Sequence, residues 1–246
     1  MLDRDLTQLD ALLDAANEAW FQLPSVRQRA RILEQRRAWI FHELQLEGVA
    51  LEGDDIERAL CGRPGTSWYD ENRLNLVRRC AELLATVREQ GQSEAPLTHQ
   101  ALSFWHLAIS AEAAPEGLRK KEGASEHYRH DVLPPAQVEE AFAELLAETA
   151  RRRRRDHPVR VAAYFVYEMM RIWPWQQWSA LLGRLGASVL LLSEGYPPLV
   201  IPARERATFY QAMYFDATRM DALVLSSIRE QLEDNLRYAQ RAEAGV

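Results

Sequence analysis

Apolar residues recur at spacings of three and four along almost the whole chain. Leu6, Leu9, Leu13 and Ala16 form one such stripe, and Leu225, Ile228, Leu232 and Leu236 form another near the opposite end. This period matches one face of an α-helix, and no segment shows clear strand alternation. Pro24, Gly48, Gly53, the CGRPGTS turn and Gly91 punctuate the pattern. An all-α fold of several crossing helices is the expectation.

Within that frame, Val26, Ile32, Leu33, Ile40 and Leu44 predict the buried face of the helix after Pro24, with Ser25 as its N-cap. A short helix is expected over Asp55–Leu60, and a longer one stopped at Gly91. Leu97, Leu102, Trp105 and Ile109 mark the next. The stretch APEGLRKKEGASEHYRHDVLPP is the longest irregular segment and reads as an exposed loop or a small hairpin. Loops of this length in compact domains are usually functional.

With 246 residues, 47% of them hydrophobic, the chain supports one large domain, or a main domain with a helical appendage. A net charge of −6 gives no bulk attraction to nucleic acid or anionic lipid. Arg151–Arg155 sits between acidic segments, so a solvated helix end is expected there and nucleic-acid binding is not. The N-terminus lacks the pattern of a signal peptide, and Ala187–Leu192 is too short to span a bilayer. Cys61 and Cys80 lack metal-ligand spacing and are expected as buried thiols of a soluble, cytoplasmic protein.

No nucleophilic triad or phosphate-binding glycine loop is present in the sequence. The six histidines do not cluster. His99 and His106 could align on one helix without a third ligand. His127 and His130 near Asp131 offer a metal site only as the alternative to scattered surface histidines, and no metal is expected.

The stretch RIWPWQQWSALLGRLGASVLLLSEGYPP, Arg171 to Pro198, crowds three tryptophans around a proline. With the preceding HPVRVAAYFVYEMM and the following LVIP, it resembles the core of the Fic (Fic/Doc) superfamily. That motif reads approximately H-P-x-x-x-A-A-x-x-H-x-x-x-x-x-I-H-P-F-x-D/E-G-N-G-R-x-x-R, followed by a helix and a G-Y-P-P turn. PEGLRKK is similar to the family's P-G-x-x-R segment. HYRHDVLPPAQVEEAFAELLAE is similar to its target-docking flap and the helix behind it. LQLEGVALEGDDIERAL resembles the inhibitory-helix segment, S/T-x-x-x-E-G/N. The resemblance implies a Fic-fold helical bundle with an N-terminal helical segment over 1–92 and a Fic-like core over 93–246. The flap would lie at about 115–134, carrying Arg119, His127, Tyr128 and His130, and the motif over 173–184.

Members with these motifs transfer AMP, other nucleotides or phosphate-containing groups to hydroxyls of target proteins, most with ATP and a divalent metal. Carried over by position, the histidine base falls on Trp173, whose indole has no basic nitrogen. Pro174 and the aromatic Trp175 match. The metal-holding acid falls on Gln177, a poor anchor for Mg²⁺. The glycine, asparagine and glycine of the phosphate cradle fall on Trp178, Ser179 and Ala180. The first arginine falls on Leu181, and the second persists as Arg184. The inhibitory glutamate corresponds to Glu47, with Glu43 where the family has Ser or Thr. Glu47 and Arg184 are therefore expected to form a clamp.

The resulting expectation is a pseudoenzyme without ATP or Mg²⁺, acting as a regulatory or interaction module with a protein partner, homodimerisation being plausible. An enzyme with a rebuilt site, using Arg184, Glu47, Arg119, His127 or His130, is the competing reading. A ligand-binding protein is the third, with Trp173, Trp175 and Trp178 lining a pocket and Gln176, Gln177 and Ser179 as polar contacts. Against it stands a simpler fate for the tryptophans, which is to fill the old cavity as core.

Overall fold

The computed structural model describes residues 2–93, 95–110, 117–122, 131–214 and 217–243. Ten α-helices run in order through these residues, and none of them is in a strand. They are α1 (Leu2–Gln22), α2 (Ser25–Leu46), α3 (Asp55–Leu60), α4 (Trp68–Gln92), α5 (His99–Ser110), α6 (Pro135–Arg152), α7 (Pro158–Ile172), α8 (Ser179–Leu192), α9 (Arg206–Gln211) and α10 (Ala217–Glu243). The all-α expectation holds. Half of the 115–134 flap, positions 115–116 and 123–130 with His127, Tyr128, His130 and any hairpin there, lies outside the described residues.

Helix α8 is the centre of the bundle, buried from Ser179 to Leu191. It packs most extensively on α7 and next on α4. Close approach explains two of its residues. A Cβ at Gly186 would press into the Phe165 ring of α7, and one at Gly183 would lie 3.1 Å from Met169 Cβ. Two hydrophobic clusters flank this pair. One joins α2, α4, α5 and α6 to one side of α7 and α8. The other joins α1, α9 and α10 to the opposite side. The first cluster runs across position 92, so the N-terminal helices and the core share one interior.

Local chemistry sets the helix ends, not always as expected. Ser67 caps α4 by accepting from Asp70 N–H at 3.2 Å. Ser25 does not cap α2: it is already the first helical residue, and Pro24 precedes it without a side-chain cap. Val26 and Leu33, expected in the core, are 66% and 53% exposed, because the first half of α2 turns only one narrow face inward. Gly91 does not stop α4, which continues to Gln92. A Cβ there would collide with Leu192, so the glycine serves close packing of α4 on the end of α8. Cys80 is buried as expected, whereas Cys61 is exposed just beyond α3.

The arginine run ends α6 as charge chemistry suggests. Arg151, Arg152 and Arg155 converge on Glu148, at 2.6, 3.1 and 2.7 Å. Arg152 also stacks 4.0 Å over the Tyr164 ring, and Arg153 reaches Glu194 at 3.2 Å. No helix among the described residues is long and apolar enough to cross a membrane.

Candidate functional site

The motif segment is a tight loop between α7 and α8, bounded by two tryptophans in left-handed backbone conformation. Trp173, the C-cap of α7, has φ 52°, and Trp178, the N-cap of α8, has φ 67°. Such angles cost a bulky residue about 1–2 kcal/mol, so packing must hold them. Trp173 is fully buried in the cluster shared with α1, α9 and α10. Trp175 is 1% exposed and enters the opposite cluster. There it stacks on His106, with centroids 5.3 Å apart and planes 15° apart, and meets Phe142 edge-on at 5.3 Å. Trp173 and Trp175, two residues apart, thus divide between two cores. Trp178 is half-buried against the cluster that holds Trp175.

Ser179 closes the loop on itself. Its buried hydroxyl accepts from Trp175 N–H at 2.9 Å and donates to Trp175 C=O at 2.8 Å. It is therefore committed to the backbone rather than to a ligand. Leu181 is fully buried. Gln176 is half-buried and Gln177 exposed, the two polar side chains of the loop that face outward.

Arg119 is drawn into the same loop. Its Nε–H donates to Trp173 C=O at 2.9 Å, its Nη1 to Lys121 C=O at 2.8 Å, and its Nη2 to the carbonyls of Leu133 and Ile172. Its backbone N–H donates to Pro174 C=O at 2.7 Å. A guanidinium spent on the orphan carbonyls at the end of α7 serves as a helix C-cap. Burial lowers its pKa, yet guanidinium stays charged.

Arg184 lies one turn further along α8 and is fully buried. Its Nε–H donates to Glu43 Oε2 at 2.7 Å, and its Nη2 to Glu47 Oε1 at 2.9 Å. The Phe209 ring lies 5.2 Å from its Cζ. Glu43 also accepts from the Trp39 indole N–H at 3.2 Å. Burial pushes the Glu43 carboxyl up against the pull of Arg184, with the Glu47 charge adding to the rise. The two carboxylates outweigh burial at Arg184 and hold its pKa above the usual range. Glu43 is fully buried, so the position where the family motif has a hydroxyl supplies the deeper partner of the clamp. Sequence reasoning noted Glu43 only as a departure. Its place four residues before Glu47, on the same helix face, was the available signal.

The end of α2 is held by further contacts that the motif does not mention. Arg206 Nε–H and Tyr210 O–H donate to Leu46 C=O at 2.9 and 3.0 Å, and Ala203 N–H donates to His42 Nδ1 at 3.1 Å. At the other end of the core, Tyr196 of the GYPP turn donates to Asp10, which also meets His157 Nε2 at 3.0 Å. Burial would raise the Asp10 pKa, and the hydrogen bonds from Tyr196 and His157 lower it instead. This network ties α1 to the start of α7.

The arrangement matches solved structures over nearly its whole length. A Fic domain containing signaling protein from Bacteroides thetaiotaomicron superposes over 96% of this chain and 98% of that one, with a TM-score of 0.82 at 15% identity. This is a Fic fold. Fic-1 from C. elegans covers 96% of the chain with a TM-score of 0.75 at 18% identity, matching over 72% of its own length. Among curated proteins, the protein adenylyltransferase Fic of Drosophila persimilis is 39% identical over 54 residues. That match takes in 22% of this chain and only 11% of the relative. No family profile matches the chain. In this Fic fold, α7, the motif loop and α8 form the frame that the sequence resemblance implied, and the end of α2 supplies the two carboxylates that hold Arg184.

Proposed function

We propose that this Fic-fold chain no longer transfers AMP and acts as a regulatory or protein-interaction module. One observation carries the reading: at the position of the family's general base stands Trp173, an indole without a basic nitrogen and fully enclosed by protein. General-base loss alone lowers rates by roughly 10²–10⁴-fold.

The other motif positions support it. A magnesium–nucleotide needs carboxylate charge and open backbone N–H groups, and these residues do not fit one. The acid's position holds Gln177, a neutral and exposed amide. The loop's left-handed position, which favours glycine, carries the Trp178 indole. Among the described residues no three metal-ligating side chains converge. Arg184, the one motif cation kept, is engaged by Glu43 and Glu47.

The burial of Trp173 and Trp175 favours filled core over a stacking platform, since an enclosed indole offers no face to a ligand. The partner would be another protein, with a second copy of this chain among the candidates.

The test is Glu47→Gly, incubated with radiolabelled ATP, Mg²⁺ and host lysate. Removing the glutamate from the Arg184 clamp is expected to release no AMP transfer. Label on any protein above the unsubstituted chain would overturn the reading.

A further inference from the structure

Along α2 from Glu47, toward its N-terminal half, an open cavity of about 830 Å³ lies between α1, α2, α4, α10 and the 195–202 loop. That volume is in the range of small-molecule sites. Two helical stripes build one wall. Ile32, Arg36 and Trp39 follow one another on α2, and Leu84, Arg88 and Gln92 on α4, each at spacings that keep them on one face. Trp20 of α1 and Leu192 of α8 border the same space.

The charges are not balanced. Three carboxylates line the cavity, all toward α10 or the α2 edge beside it, and each is matched. Glu34 and Asp234 hold Arg31, and Glu230 holds Arg204 at 2.6 Å. The pair on the α4 side has no such match. Among the described residues neither the Arg36 nor the Arg88 side chain makes a hydrogen bond or ion pair. Arg88 is half-buried, and burial together with the like charge of Arg36 lowers its pKa. Two neighbouring guanidinium groups, one partly desolvated and neither neutralised, favour an anion between them. Guanidinium presents paired donors suited to carboxylate or phosphate oxygens.

We infer that this cavity binds a small organic anion, with its oxyanion between Arg36 and Arg88 and an aromatic or aliphatic body against Trp20 and Ile32. The site is separate from the motif loop and stands whether or not the chain transfers AMP. It also touches the clamp helix directly, because Trp39 both lines the cavity and donates to Glu43.

Calorimetric titration with 1-naphthyl phosphate and with 1-naphthoate tests the site and separates the phosphate from the carboxylate source. Inorganic phosphate and neutral 1-naphthamide are the controls. At least one of the two anions is expected to bind saturably at one per chain, and both controls about tenfold or more weaker. Arg88→Gln and Arg36→Gln should each weaken the anion by about tenfold or more, with melting temperatures unchanged because neither arginine has a partner to lose. Arg36 is exposed, so its variant decides the matter if Arg88→Gln fails to fold. Absence of saturable binding by both anions, or equal binding of 1-naphthamide, would overturn the inference. So would affinity unchanged in the folded variants.

Discussion

Arg184 Nε–H donates to Glu43 Oε2 at 2.7 Å, with both side chains fully removed from solvent. Glu47, closer to solvent, takes the other edge of the guanidinium at 2.9 Å. Removing the cation leaves two buried carboxylates facing each other. Arg184→Met should therefore cost about 3–5 kcal/mol in urea unfolding. Glu43→Ala should cost more than Glu47→Ala, since it also leaves the Trp39 N–H unpaired. Equal losses would contradict Glu43 as the inner partner.

Trp178 holds φ 67° at the start of α8. Any variant that removes the indole loses its packing on the core, but glycine alone also relieves the backbone. Trp178→Gly should be more stable than Trp178→Ala by about 1 kcal/mol, the reverse of the order inside a helix. Denaturant midpoints of the two variants decide it, and a less stable glycine variant would mean the left-handed turn is not kept.

Gly186 lets α8 lie against the Phe165 ring. Gly186→Ala should destabilise the chain by about 1–3 kcal/mol, because the methyl group overpacks a rigid aromatic contact. Adding Phe165→Leu should recover part of the loss, whereas independent sites would simply add. Thermal melts of the single and double variants give the coupling.

His42 accepts Ala203 N–H at Nδ1, which requires the neutral ring. Burial, then the Arg204 charge, lower its pKa in the folded chain. The unfolded state, with a value of about 6.5, therefore takes up the proton first as pH falls. Stability from this group is fully present above about pH 6.5 and declines below it. His42→Asn keeps an acceptor without the titration. The stability difference between the two proteins should shift in favour of the variant as pH drops from 7 to 5, and a constant difference would exclude the linkage.

Much of the fold was legible because helical period and turn chemistry are local. The Leu6–Ala16 stripe, the Asp55–Leu60 helix and the frame from His157 to Pro198 all follow from spacing or motif. Exposure of Val26 and Leu33 was not legible, since an apolar residue on a helix does not reveal how wide its covered face is. The site was legible as a set of losses at Trp173, Gln177, Trp178 and Leu181. What fills the space was not: Trp173 and Trp175, two residues apart, enter different cores, and only the three-dimensional path of the loop separates them. Arg119 read as a flap residue, yet its guanidinium caps α7 from more than fifty positions away. Glu43 read as a mismatch until α8 brought Arg184 to it.

Calorimetric titration of the unsubstituted chain and of Glu47→Gly with ATP and Mg²⁺ tests the central claim most directly. The account predicts no magnesium-dependent saturable heat in either protein and no magnesium-dependent rise in melting temperature, and any magnesium-independent heat should be lost in Arg88→Gln. A bound nucleotide would stabilise the fold by about 2.7 kcal/mol at one hundred times its dissociation constant. Magnesium-dependent ATP binding to either protein, above all binding that appears only when Glu47 is removed, would contradict it.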